Sequence, residues 1–254
     1  MAINNVEHEV NDYLHTLCEK AQHVLEQYEQ PSFDLTDLLQ KIGNLKLSDI
    51  QATIVEKWSS YGWVPILPSF TGADVMANIV PPDTAEKADT RMIRLLTEHE
   101  LQQLFEALHT YVSASGYNEK TLSEAIDAYK AELYSGCSLL IFALIDSCFI
   151  TQQPQFSNRR RALAGLSAEK KIKKLDSIIL SCADITLNLV QSIFEQAHDF
   201  KPEFETGLKR NFISHGMNSY NPSKTDCLKL FVLLHSVYLM IDSEVFEWKQ
   251  ESSQ

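Results

Sequence analysis

The 254-residue sequence lacks several features that mark specialised classes of protein. Its five cysteines include no C-x-x-C pair and lie mostly in apolar, helix-like patterns, which argues against a disulfide framework or a zinc site and favours reduced thiols. The first residues show no basic region followed by an apolar run, so we expect no secretory signal. Together these absences predict a cytoplasmic protein.

The sequence also has no apolar run long enough to cross a membrane. The longest, residues 137–150, contains Asp146 and falls short of the roughly 20 residues that a bilayer span requires. We therefore expect no membrane association. A chain of this length can bury a core without disulfides or metals, as one large domain or two smaller ones.

Positive charge is scarce too. The sequence has 22 Lys and Arg against 34 Asp and Glu, a formal net charge of −12. This counts against a protein that coats nucleic acid without preference, because Lys and Arg drive phosphate binding by releasing counterions. The basic residues concentrate in residues 159–174 and 201–229. Such clusters are typical of a solvated helix face and a basic loop, although Arg159, Arg160 and Arg161 are also candidates for binding the phosphates of a substrate.

The spacing of the apolar residues predicts an all-α protein. Apolar side chains recur every three or four residues, and glycines or prolines end most of these patterns. The predicted helices cover residues 6–28, 34–42, 47–60, 84–115, 119–151, 168–198, 202–215 and 222–248. We find no alternating strand pattern, internal repeat or low-complexity segment.

Glycine, proline and aromatic residues replace the helical pattern between residues 61 and 82. We expect an irregular connector here and a domain boundary after it, so that residues 1–82 form an N-terminal helical region and residues 83–254 a helical bundle. The aromatic residues fit either a hydrophobic strap over the core or a stacking surface for bases. They are Tyr61, Trp63 and Phe70, together with Trp58 at the end of the preceding predicted helix.

The side chains best suited to chemistry lie at one predicted helix end. Arginine is a permanent planar cation that fits phosphate oxygens, and histidine exchanges protons near neutral pH. Arg210 and His215 therefore point to phosphodiester chemistry on RNA. On a helix, Asn211 and His215 share a face, and Arg210 lies about 140° around the axis from His215. Two facing copies would bring two arginines and two histidines to one phosphate, which predicts a symmetric dimer.

The same residues also fit a purely structural interpretation. Gly216 is typical of the left-handed position that ends a helix, and the helix dipole favours a cation such as His215 beside it. Asp146 is either an ordinary polar residue of a helix end or a partner of Arg210 across the bundle. His235, in apolar surroundings, fits a buried core histidine better than a catalyst.

The segment and its surroundings resemble the HEPN superfamily, all-α proteins that include many metal-independent ribonucleases of prokaryotic defence and toxin systems. Residues 210–216 are similar to the arginine-to-histidine motif of that family. Residues 229–234 look like its last core helix, and residues 131–146 resemble its apolar, acid-ended central helix. The likeness covers about residues 84–248 and implies a helical bundle of HEPN type.

The resemblance implies RNA cleavage through attack of the ribose 2′-hydroxyl on the adjacent phosphate, with no metal and no cofactor. His215 would move the proton, Arg210 would stabilise the pentavalent phosphate, and Asn211 would orient His215 or donate to the substrate. Lys209 and Tyr220 are further substrate-binding candidates. The implied protein is a homodimeric toxin or phage-defence endoribonuclease, with an antitoxin or other regulatory protein as partner. The alternative is a noncatalytic HEPN-like module that binds a nucleotide, nucleic acid or protein.

Overall fold

The computed structural model describes residues 47–70, 72–115, 118–152, 168–170, 177–194, 207–216, 220–242 and 246–248. The helices in these residues are α1 (Leu47–Tyr61), α2 (Gly72–Ile79), α3 (Ala85–Leu95), α4 (Glu98–Ser115), α5 (Glu119–Lys130), α6 (Tyr134–Gln152), α7 (Ser177–Phe194), α8 (Arg210–Ser214) and α9 (Lys224–Asp242). Two short strands, β1 (Ala168–Lys170) and β2 (Phe246–Trp248), pair antiparallel. Apart from this strand pair, the described residues form an all-α helical bundle, as the sequence predicts.

The chain divides into two compact units, Met1–Leu47 and Ser48–Gln254. Nearly all the described residues lie in the second unit, and the boundary predicted after residue 82 falls inside it. The physical reason is that α1 and the connector share the core of the bundle, since Trp58 on α1 and Trp63 on the connector are both fully buried there. The helices predicted for the first 46 residues lie outside the described part of the chain.

The core is organised around α9, which packs against α4, α6 and α7. Thirteen of the 19 residues of α9 are buried, and only Lys224 and Asp242, at its two ends, are exposed, so this helix has no polar stripe facing solvent. The ring of Phe231 lies edge-on to Phe105 and to Tyr129, with centroids 5.0 and 5.7 Å away. Edge-to-face pairs of this kind add to the free energy gained by burying the rings.

One long predicted helix, residues 84–115, is divided into α3 and α4. Thr97 stands at the break, where its side-chain oxygen accepts a hydrogen bond from the backbone N of Glu100 at 3.3 Å. Threonine followed three residues later by glutamate is the sequence pattern of a helix start. The apolar periodicity continues across the break and obscures this pattern.

A second predicted helix, residues 119–151, is divided into α5 and α6. Glu132 takes the left-handed conformation with φ 61°, and the backbone N of Leu133 donates to the carbonyl of Ala128 at 2.8 Å. These features form a Schellman cap, which usually contains glycine or asparagine. Glutamate at this position gives no sequence signal for the helix end.

Three smaller differences concern short elements. The segment predicted as an irregular connector contains α2, and β1 and β2 lie at positions where helix was predicted. Strands of three residues are too short to show an alternating pattern. The described helices α7 and α9 are correspondingly shorter than predicted.

A partly buried polar contact joins the connector to α3 and α9. The Oδ1 atom of Asp89 accepts a hydrogen bond from Trp63 Nε1 at 2.7 Å and lies 2.9 Å from Lys229 Nζ. The same ammonium lies 5.6 Å from the centre of the Trp63 ring. Gly62 allows the close approach, because a Cβ atom there would lie 3.3 Å from Lys229 Cδ and the residue has φ +78°.

We expect Asp89→Ala to lower the free energy of unfolding by about 2 to 3 kcal/mol, because Trp63 loses its acceptor and the Lys229 ammonium loses its counterion. Urea denaturation measures the change. Asp83→Ala is the control: its 3.0 Å pair with Lys87 is exposed, and its loss should change stability little. Equal effects of the two substitutions would contradict the role of Asp89.

Candidate functional site

The motif residues lie on α8 and at its end. The helix is five residues long and begins at Arg210, whereas the sequence predicted a helix over residues 202–215. Within the described residues, Gly207 has φ +69° and the chain is not helical from there to Lys209. The predicted helix is therefore wrong over this stretch, because the backbone turns at the glycine before α8 starts.

Two apolar side chains fix α8 in the bundle. Phe212 and Ile213 are buried, and α8 packs against α6 and α7. With these residues facing inward, Ser214 and His215 at the end of the helix are exposed. The two buried side chains thus anchor α8 in the bundle, while the polar residues at its end lie at the surface.

The Arg210 guanidinium is held from three sides. Its Nη2 lies 3.5 Å from Asp146 Oδ2 on α6, and its Nη1 donates to Asn211 Oδ1 at 3.2 Å. The guanidinium carbon lies 5.9 Å from the centre of the Phe194 ring at the end of α7. Asp146 is therefore the partner of Arg210 across the bundle, which was one of its two predicted roles. The side chain of Arg210 remains 33% exposed, so a ligand can reach it.

His215 is the C-terminal cap of α8. Its backbone N donates to the carbonyl of Asn211 at 3.2 Å, and Gly216 follows in the left-handed conformation with φ +61°. The predicted helix-end geometry is thus confirmed. The cap uses only the backbone of His215, and the residue is exposed, so the imidazole is accessible from solvent.

The other predicted substrate-binding residues are divided between two places. Lys209 Nζ donates to the carbonyl and the hydroxyl oxygen of Ser192 at 2.9 and 3.3 Å. Tyr220 Oη donates to Asp226 Oδ2 at 2.8 Å. Burial, followed by this hydrogen bond, raises the pKa of Tyr220 well above its usual value. The predicted candidates Arg159, Arg160 and Arg161 lie outside the described residues.

Lys209 and Tyr220 both line a cleft of about 230 Å³ beside the motif. It lies between the end of α1, the second half of α7 and the first turns of α9. Its lining comprises Ser59, Ser60, Tyr61, Gly62, Leu189, Ser192, Ile193, Gly207, Leu208, Lys209, Tyr220, Asp226, Lys229, Leu230 and Leu233. No sequence pattern locates this cleft, because its lining comes from four separate segments of the chain.

The aromatic residues of the connector have different environments. Trp58 and Trp63 are fully buried, and their indole nitrogens donate to Ile79 O and Asp89 Oδ1 at 2.6 and 2.7 Å. For these two residues the strap interpretation is confirmed. Tyr61 is half-buried and lines the cleft.

The cysteines of the described region are buried in the core and form no disulfide with one another. They are Cys137, Cys148, Cys182 and Cys227. Burial raises the pKa of Cys182 to about 12, so this thiol stays protonated at neutral pH. In the described part of the chain, no group of three or more His, Cys, Asp or Glu residues could hold a metal ion. None of the helices described there has the length and hydropathy that a membrane span requires.

His235 is a core residue. It is 3% exposed, its Nδ1 atom has no hydrogen-bond partner among the described residues, and its ring centroid lies 6.0 Å from that of Tyr111. Burial lowers the pKa of His235 to about 4. A histidine that is neutral and inaccessible at pH 7 does not exchange protons with a substrate, so the core interpretation holds.

We expect His235 to make the fold sensitive to acid. Between pH 6.5 and about 4 the unfolded chain binds a proton here and the folded chain does not, so stability falls with pH across this window. The loss approaches about 3 kcal/mol by pH 4. In urea denaturation at pH 7 and 4.5, His235→Leu should lose less stability than the wild type on acidification. His99→Leu, at an exposed position of α4, is the control and should keep the wild-type pH dependence. Identical pH dependence in all three proteins would contradict this account.

Comparisons with known proteins identify no relative of this chain. No protein-family model, curated protein or solved structure matches the chain. The chemistry of the site therefore follows from its own side chains: a fixed guanidinium, an exposed imidazole at the other end of the same short helix, and an adjoining cleft.

Proposed function

We propose that the protein is an endoribonuclease that cleaves RNA by 2′-hydroxyl transesterification without a metal ion. One observation carries the proposal. The Arg210 guanidinium is held by Asp146 and Asn211 at the start of α8, and an exposed His215 lies at the end of the same helix. A preorganised cation is most effective where negative charge develops in a transition state.

The reaction needs a base and an acid. The 2′-oxygen loses its proton and bonds to phosphorus, the bond from phosphorus to the 5′-oxygen breaks, and the leaving 5′-oxygen takes up a proton. His215 is the proposed proton carrier, and Arg210 stabilises the charge on the pentavalent phosphate. Asn211, whose amide oxygen accepts from Arg210, orients the guanidinium.

A homodimer would supply both proton-transfer groups. One imidazole cannot act as base and acid in a single step, whereas His215 of the partner subunit would provide the second. The exposed side of α6 supports this assembly, because Leu139 and Ala143 are exposed there and Asp146 follows on the same face. An apolar helix face that ends beside the site suits a second copy of this chain.

We expect Leu139→Glu to disrupt the dimer and to lower RNA cleavage with it, because the new charge would be buried in the interface. Light scattering coupled to size-exclusion chromatography measures the oligomeric state. Ile93→Glu places the same charge on another exposed apolar position, in α3, and should leave the dimer intact. A wild-type monomer that cleaves RNA at full rate would contradict the composite site.

The proposed biological role is that of a toxin or phage-defence effector in the cytoplasm. An active ribonuclease there needs restraint, so an antitoxin or another regulatory protein is the proposed partner. Growth arrest on expression of the wild type, relieved in His215→Ala, is the outcome that this role requires.

The direct test is cleavage of total RNA by the purified protein in EDTA. Arg210→Ala and His215→Ala should each reduce the rate by at least about 100-fold, since each removes a group that acts in the transition state. The matched controls are Arg94→Ala and His99→Ala, which remove the same side chains from exposed positions of α3 and α4. They should cleave like the wild type.

Two results would contradict the proposal. The first is cleavage that survives both motif substitutions, which would assign the activity to a contaminant or another site. The second is RNA binding without cleavage under any tested condition. That result would favour the alternative, a noncatalytic module that binds a nucleotide, nucleic acid or protein.

A further inference from the structure

The cleft beside the motif has no role in the proton-transfer chemistry. Its volume of about 230 Å³ is below the roughly 300 to 1,000 Å³ of sites for drug-sized ligands. It therefore suits one compact group rather than a large molecule. The side chains that line it indicate which group this is.

Two tyrosines that line the cleft have their hydroxyl groups held by the protein. Tyr61 Oη donates to the carbonyl of Pro82 at 2.9 Å, and Tyr220 Oη donates to Asp226 Oδ2 at 2.8 Å. Both residues are half-buried, and both line the cleft. With both hydroxyls engaged by the protein, the rings offer their carbon surfaces to a ligand. Aromatic faces held in this way stack with nucleic-acid bases.

The rest of the lining combines an apolar wall with polar groups. Leu189, Ile193 and Leu230 are buried side chains that reach the cleft. Ser60 adds a hydroxyl at an exposed position. A flat ring system with hydrogen-bonding edges matches both features, since its faces contact apolar atoms and its edge meets hydroxyl groups.

The charges of the cleft do not favour a free phosphate. The lining has two ammonium groups, Lys209 and Lys229, and one carboxylate, Asp226. Lys229 lies 2.9 Å from Asp89, which offsets its charge. With its positive charge largely compensated, the cleft has a limited attraction for an anion, and stacking becomes the larger contribution to binding.

We propose that this cleft binds one nucleobase through its two tyrosine rings. If the proposed function is correct, the base belongs to the RNA strand and lies next to the phosphate that reacts. Lys209 on the cleft directly precedes Arg210, and α8 is only about 7.5 Å long from Arg210 to His215, at 1.5 Å per residue. A base in the cleft would therefore anchor the strand close to the motif.

The experiment measures binding with the full chain in a His215→Ala background, so that RNA is bound but not cut. Isothermal titration with the four nucleoside monophosphates and with a short single-stranded RNA separates a free nucleotide from a strand as the source of the base. Tyr220→Leu should weaken binding by about 5- to 150-fold, the effect of losing one stacking partner. Tyr220→Phe, which keeps the ring, should recover most of that loss.

A second substitution fills the cleft without removing a packed side chain. Ser60→Trp places an indole at an exposed lining position and should reduce binding to a similar extent. Ser113→Trp, exposed on α4 and outside the lining, is its control and should bind like the parent. Thermal melting of each variant establishes that it is folded.

Binding that is unchanged in a folded Ser60→Trp variant overturns the base site, as does equal weakening by Tyr220→Phe and Tyr220→Leu. These results are separable from the fate of the proposed function. Binding that depends on the tyrosine ring, in a protein that never cuts RNA, would support the base site and contradict the proposed nuclease function. Cleavage at wild-type kinetics in Ser60→Trp, made with His215 intact, would do the reverse.

Discussion

The burial of α9 is the constraint on which the described structure depends. This helix is apolar on nearly every side and packs against α4, α6 and α7. Two of its polar residues hold neighbouring segments: Asp226 binds Tyr220 and the helix start, and Lys229 pairs with Asp89 on α3. A helix covered in this way fixes the positions of the helices around it, and α8 gains its place between two of them.

The candidate site uses this rigidity in a simple way. Arg210 contributes a cation whose position is set by a carboxylate on α6, an amide on α8 and a ring on α7. Because three elements hold it, little reorganisation is needed when a phosphate approaches. His215, by contrast, has to be accessible to the substrate. Its position at the end of the short helix α8 leaves it exposed to solvent.

Much of the fold could be predicted from apolar spacing, but the ends of its helices could not. Periodicity shows which face of a helix is buried, whereas the break at Thr97 depends on a side-chain cap and the break at Glu132 on a left-handed glutamate. For the site, the pairing of Arg210 with His215 could be predicted because the two residues are close together in the sequence. The cleft depends on contacts between distant segments, which no short motif encodes. The burial of Trp58 and Trp63, by contrast, agrees with the strap interpretation of the sequence.

The central claim is that Arg210 and His215 cleave RNA by transesterification. The most direct test is the chemistry of the fragment ends, determined by mass spectrometry after a defined RNA is incubated with the protein in EDTA. The account predicts a 2′,3′-cyclic phosphate on one fragment and a free 5′-hydroxyl on the other, with neither formed by His215→Ala. Fragments ending in a 3′-hydroxyl and a 5′-phosphate, or RNA that stays intact, would contradict it.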